Sequence, residues 1–202
     1  MNVSQIQDLY LEEKLSTWEI ARKLGISQWS VIYLMRRKNI PRRTSAESNR
    51  IKFLKTPLSY NKKAKLNAME KSLHEAALML YWAEGVKKGK HTVDFVNSDE
   101  KMILIFLTAL RKIYGVNENK LRILLYCYTN QSSQRLIEYW SKLLRVSKAQ
   151  FTKPYIRKDF NLNKINKMPH GLVHIRYADK RLLMQIKSEI DIIQKRLNKL
   201  EW

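Results

Sequence analysis

Apolar residues recur at helical spacing near the start of the chain and again from residue 70 onward, where alternating runs interrupt them. Residues 4–14 set Ile6, Leu9 and Tyr10 on one side of a helix. In "STWEIARKLGISQWSVIYLMRRK" (16–38), Ser16 or Thr17 caps a helix that turns Ile20, Ala21 and Leu24 inward. Gly25 suits a tight turn, and Ser27 then caps a third helix with Val31 and Leu34 inward. Residues 70–84 read as a helix and "HTVDFVN" (91–97) alternates as a strand does. "SDEKMILIFLTALRKIYG" (98–115) opens on a Ser cap and acids and closes on basic residues and Gly115, the signs of a helix. "KLRILLYCYT" (120–129), "FTKPYIRK" (151–158) and "GLVHIRYA" (171–178) read as strands, whereas 132–146 and 179–200 read as helices. Residues 159–170 read as a loop. This mixture predicts an α+β fold: three helices first, then a mixed α/β domain.

Between the two patterned regions the pattern lapses. Residues 36–65 hold eleven Lys/Arg against one acid, Glu47, together with Pro41 and Pro57. Such a stretch reads as a basic arm and linker. It places a three-helix domain at 1–45, a basic linker at 46–66 and the α+β domain at 67–202.

Charge narrows the function further. The 202 residues carry a formal net charge of +21, with 39 Lys/Arg against 18 Asp/Glu. That imbalance favours a polyanionic partner, nucleic acid first and an anionic membrane surface second. Runs such as "ILIFLTAL" (103–110) are too short for a bilayer, which needs about 20 apolar residues, and no secretory signal opens the sequence. Cys127 is the only cysteine, so neither an internal disulfide nor a cysteine-based zinc site is expected. A cytoplasmic, DNA-associated protein without membrane attachment is the expectation. P-loop, G-x-S-x-G and H-E-x-x-H motifs are absent from the sequence.

The spacing of Ala21, Gly25 and Val31 resembles the helix-turn-helix family of DNA-binding domains. The small Ala21 lets the next helix cross close by. The resemblance implies that the last of the three helices enters the major groove of double-stranded DNA, presenting Gln28, Trp29, Ser30, Tyr33 and Arg37. Gln pairs bidentately with adenine and Arg with guanine. Arg36, Arg37, Arg42 and Arg43 flank that helix and suit phosphates or the minor groove. The plainer alternative is a helical hairpin whose polar residues and charges are simply solvated.

"ALMLYWAEG" (77–85) resembles the LAGLIDADG motif of homing endonucleases, through Ala83, Glu84 and Gly85 with Leu80 and Tyr81 before them. The strand, helix and strands that follow fit the same family in order. The resemblance implies a saddle-like sheet lying on duplex DNA, with outward residues including Lys90, Arg122, Tyr126, Tyr155, Arg157, His174 and Arg176. It implies that Glu84 serves catalysis as a ligand for Mg²⁺, a hard ion that takes carboxylate and phosphate oxygens. One motif per chain supplies one acid, so a homodimer on a roughly two-fold symmetric site is implied. The family carries small residues where this chain has Leu78 and Met79, which would hold two such helices apart or change their crossing. Trp82 replaces the first Asp of the name motif. A DNA-binding transcription regulator on the same fold is the alternative to the endonuclease, and an RNA-binding protein is a third reading.

The remaining candidates are structural. His170 and His174 stand on a strand-like run and do not form a helical metal pair. Tyr139, Trp140, Leu143 and Leu144 suit a core. Leu183, Ile186, Ile190, Ile193, Leu197 and Leu200 step by three and four, which suits a helix docked on the sheet or, alternatively, a short coiled-coil dimer.

Overall fold

The computed structural model describes residues 3–158 and 168–199. They form eight α-helices and one four-stranded mixed sheet, an α+β architecture. The chain divides into two compact units, residues 1–57 and 58–202.

The first unit holds α1 (Val3–Leu11), α2 (Thr17–Leu24), α3 (Gln28–Arg37) and α4 (Ser45–Lys55). Ser16 caps α2 in a reciprocal box with Glu19: its side chain accepts from the Glu19 N–H at 3.2 Å, and Glu19 accepts from the Ser16 N–H at 2.7 Å. Gly25 ends α2 at φ +66°, a conformation that disfavours a side chain even though the space around it is open. Ser27 then caps α3 by accepting from the Ser30 N–H at 3.0 Å. Ile6, Leu9, Tyr10, Ile20, Ala21, Val31, Met35 and Ile40 close the core. Leu34, expected inward, is only half-buried, because Met35 stands four residues after Val31 and takes the core position.

The stretch read as a linker, 46–66, is largely structured. Thr44 and Glu47 form a second capping box that starts α4. α4 buries none of its residues, which is why apolar periodicity misses it. Its last residue, Lys55, donates to the carbonyls of Glu13 and Lys14 at 2.8 and 3.1 Å. Residues 59–63 belong to the second unit. There Tyr60 bridges to Val116, and the N–H groups of Asn61 and Lys63 donate to the Tyr114 and Ile113 carbonyls at 3.0 and 2.9 Å.

The second unit runs α5 (Ala68–Glu84), β1 (Val93–Asn97), α6 (Glu100–Lys112), β2 (Leu121–Tyr128), α7 (Ser133–Leu144), β3 (Tyr155–Arg157), β4 (Leu172–Tyr177) and α8 (Lys180–Leu197). The strands lie in the order β1-β4-β2-β3. β4 is antiparallel to both β1 and β2, and β3 is parallel to β2. Asp99, not Ser98, caps α6, accepting from the N–H groups of Lys101 and Met102. Residues 159–167 of the expected loop lie outside the described residues.

Alternation sorts the strands into two faces. Val93, Phe95, Leu121, Ile123, Leu125, Cys127, Val173, Ile175 and Tyr177 form one core with the buried residues of α5, α6, α7 and α8. Trp140 and Leu144 of α7 are part of that core. So are Leu183, Ile186, Ile190 and Ile193 of α8, so the apolar seam docks inside the unit and is not free for a coiled coil. Leu197 is 39% exposed, and Leu200 lies outside the described residues.

Glu189 of α8 ties this core to its flank. It accepts from His74 Nε2 at 2.8 Å, from the Tyr114 hydroxyl at 2.6 Å and from the Lys62 ammonium. Burial works against its charge, but the hydrogen bonds from His74, Lys62 and Tyr114 prevail and hold its carboxyl down at about 2.

Candidate nucleic-acid interface

In each unit a group of the expected residues stands on a side turned away from the core. On the first, α3 turns Val31 and Met35 into the core, so residues 29, 33, 36 and 37 stand on its outer side. Trp29 is 75% exposed and Tyr33 62%, and Arg36 and Arg37 are exposed beside them. Gln28 and Ser30 are exposed but engaged locally: Gln28 Nε2 donates to Thr17 Oγ1 at 2.9 Å, and the Ser30 and Ser27 hydroxyls lie 2.8 Å apart. The expected polar readers are thus partly spent on holding the turn between α2 and α3.

Arg43 departs from its expected role. Its guanidinium donates to the carbonyls of Lys14 and Leu15 and lies 3.9 Å from the Tyr10 ring centre. Its N–H donates to the Tyr10 hydroxyl at 2.8 Å. These carbonyls belong to the turn after α1, and Arg43 satisfies them. It holds the unit together where the sequence suggested a DNA contact. Arg42 is exposed.

On the second unit, the sheet face away from the core carries Asp94, Arg122, Tyr126, Tyr155, His174 and Arg176, as the registers Asp94↔Arg176, Arg122↔Arg176, Leu124↔His174 and Tyr126↔Tyr155 require. The sequence places all but Asp94 here. Asp94 was missed, although a lone acid at the alternate position in "VDFV" is the signal for it. Its carboxylate accepts from Arg176 Nε at 2.9 Å and lies 2.8 Å from His174 Nδ1. His174 is consequently buried, and Tyr126 packs against both its ring and that of Tyr155, at 4.8 and 4.7 Å between centres. Arg157 pairs in register with Tyr128, its guanidinium 5.3 Å from that ring. Arg122 is exposed but folds one guanidinium nitrogen onto the Asn119 and Leu121 carbonyls, both at 2.8 Å. Lys90 is exposed in the segment between α5 and β1, off the strands.

Glu84 is the last residue of α5 and is exposed. Lys87 reaches back to the same helix end and donates to the carbonyls of Tyr81, at 3.0 Å, and Trp82. Its ammonium offsets the negative end of the helix, where a carboxylate is otherwise disfavoured. Partial desolvation lowers the Lys87 pKa, and the Glu84 carboxylate opposes that shift. Gly85 is buried and bridges to Phe95, and a Cβ there would stand 2.4 Å from the Tyr81 carbonyl oxygen. Close approach, not a left-handed turn, demands glycine at this point.

The motif helix faces differently from the expectation. Leu78 is 2% exposed and belongs to the unit's own core, and Met79 packs against that core. The exposed residues of α5 near its end are Ala76, Trp82, Ala83 and Glu84. Leu78 therefore does not obstruct a neighbouring helix.

Among the described residues no three His, Cys, Asp or Glu side chains come together as a metal site. His170 pairs with Glu100 at 2.5 Å and His174 with Asp94, so the two histidines serve different partners. No described helix is long and apolar enough to cross a membrane. Comparison of the chain with family models, with curated proteins and with solved structures finds no match.

Proposed function

We propose that the chain is a site-specific double-stranded DNA-binding protein acting as a homodimer, with a helix-turn-helix head in the first unit and a LAGLIDADG-like saddle in the second. One observation carries the reading: α3 is packed on one side and presents Trp29, Tyr33, Arg36 and Arg37 in the open on the other. A helix exposed on one side in this way fits a major groove. The net charge of +21 supports the same partner. The sheet face adds Arg122, Arg157 and Arg176, with Asp94 the one acid among its described strand residues and Tyr126 and Tyr155 beside them. The exposed Ala76 and Ala83 support close approach of two α5 helices in the dimer.

Glu84 supports cleavage as the dimer's activity. It is an exposed carboxylate at a helix end, and Mg²⁺ commonly takes one or two carboxylates together with phosphate oxygens and waters. The ion would supply water activation and charge stabilisation at the scissile phosphate. Glu84 would hold it, and the arginines of the sheet face would position the duplex. A regulator without cleavage is the second reading, favoured by the local engagement of Arg122 and Arg176.

Selection of bound duplexes from a randomised library in Ca²⁺, followed by addition of Mg²⁺, tests both. An enriched, roughly two-fold symmetric site cut by the wild type and left intact by Glu84→Gln establishes the endonuclease. An enriched site that neither protein cuts establishes the regulator. No enriched site refutes specific DNA binding.

A further inference from the structure

From the outer stripe of α3 we infer that the protein recognises its site mainly through apolar contact with pyrimidine 5-methyl groups, with Trp29 and Tyr33 as the specificity-determining residues. This inference rests on the DNA-binding reading above and names the chemistry by which it selects.

Three observations converge. First, Trp29 and Tyr33 are four residues apart on one helix, so their rings stand one above the other on the same side. They are 75% and 62% exposed, and neither contributes to the unit's core. Two large aromatic side chains held in water on a short helix need a partner to make their exposure worthwhile. Second, the polar side chains around them are already engaged. Gln28 Nε2 donates to Thr17 Oγ1 at 2.9 Å, and Ser30 shares a 2.8 Å hydrogen bond with Ser27. Using the Gln28 amide bidentately on adenine would break a bond that supports the turn. Third, the cations on this side stand at the end of the helix, at Arg36 and Arg37. The stripe is aromatic at its start and cationic at its finish.

A major groove offers apolar surface chiefly as the 5-methyl group of thymine. A helix entering by its N-terminal turns would bring Trp29 and Tyr33 to the base edges and leave Arg36 and Arg37 nearer the phosphates. The two rings, one turn apart, would cover methyl groups a base step or two apart. 5-Methylcytosine offers the same group, so the stripe would accept it where thymine stands in the site.

The experiment uses the full chain and the duplex enriched from the randomised library. Affinity is measured for that duplex and for the same duplex with deoxyuridine replacing each thymidine under α3, at one salt concentration. We expect wild-type binding to weaken about fourfold for each contacted methyl removed, the effect of withdrawing one buried carbon. Trp29→Ala and Tyr33→Ala should each lose the discrimination at the methyl group that its own ring covers, and the double variant should bind the thymidine and deoxyuridine duplexes alike. Both residues lie outside the core, so circular dichroism should show each variant folded. Restoring the methyl as 5-methylcytosine opposite guanine should recover wild-type affinity at that position. Equal wild-type affinity for the two duplexes overturns the inference and leaves DNA binding standing. So does undiminished discrimination in both variants, or an enriched site lacking thymine. Failure to enrich any site overturns the DNA-binding reading itself, and this inference with it.

Discussion

Glu189 is hydrogen-bonded by four donors at once, Lys62, His74, Tyr114 and Gln185, in a partly buried position. Its carboxyl sits at about 2 when folded, against 4.5 ordinarily. A depressed carboxyl contributes its stability above its unfolded value, and the contribution drains as pH falls towards the folded one. The second unit should therefore lose stability progressively between about pH 4.5 and pH 2. Glu189→Gln should be less stable than wild type at neutral pH, with a flatter acid limb in that window. Urea denaturation at a series of pH values reads both, and parallel acid limbs would contradict the assignment. Little of this network is visible in the sequence, because its members come from positions 62, 74, 114, 185 and 189 with no shared motif. Arg43 is similar. It stands in a run of arginines that all suggest phosphate, and only the fold shows that its partners are the carbonyls of Lys14 and Leu15. Trp29 and Tyr33 were legible as outward residues because the helical period alone places them.

Among the elements, the two glycines that close helices do different work. Gly25 needs its left-handed φ of +66° and has open space around it, whereas Gly85 has ordinary dihedrals and no room beside the Tyr81 carbonyl. Gly25→Ala should cost the first unit about 1–2 kcal/mol. Gly85→Ala forces a backbone shift at the α5–β1 junction and should cost the second unit about 1–3 kcal/mol. Denaturation of each variant checks the pair, and a Gly85→Ala protein as stable as wild type would contradict the close approach. Element order was largely legible, since periods of 2 and 3.6 separate strands from helices over most of the chain. α4 was not, because it has no buried stripe and rests on its capping box, a signal that "TSAE" carries without apolar periodicity. The inward turn of Leu78 was also hidden: the run gives the spacing, but only the packing of α5 against α6, α8 and β1 decides which side faces the core.

The whole molecule joins a basic chain of net charge +21 to two surfaces, each built from residues whose opposite sides are packed. The charge alone predicts binding to any polyanion, steeply weakened by salt, while the α3 stripe predicts a preference among sequences. Comparing affinity for the enriched duplex with affinity for a shuffled duplex of equal length and composition, across a salt series, separates the two most directly. Log affinity should fall similarly with log salt for both duplexes, with the enriched one bound at least about a thousandfold more tightly near physiological salt. Equal affinity for the two at every salt concentration would contradict this expectation, and would leave a protein that recognises charge but no sequence.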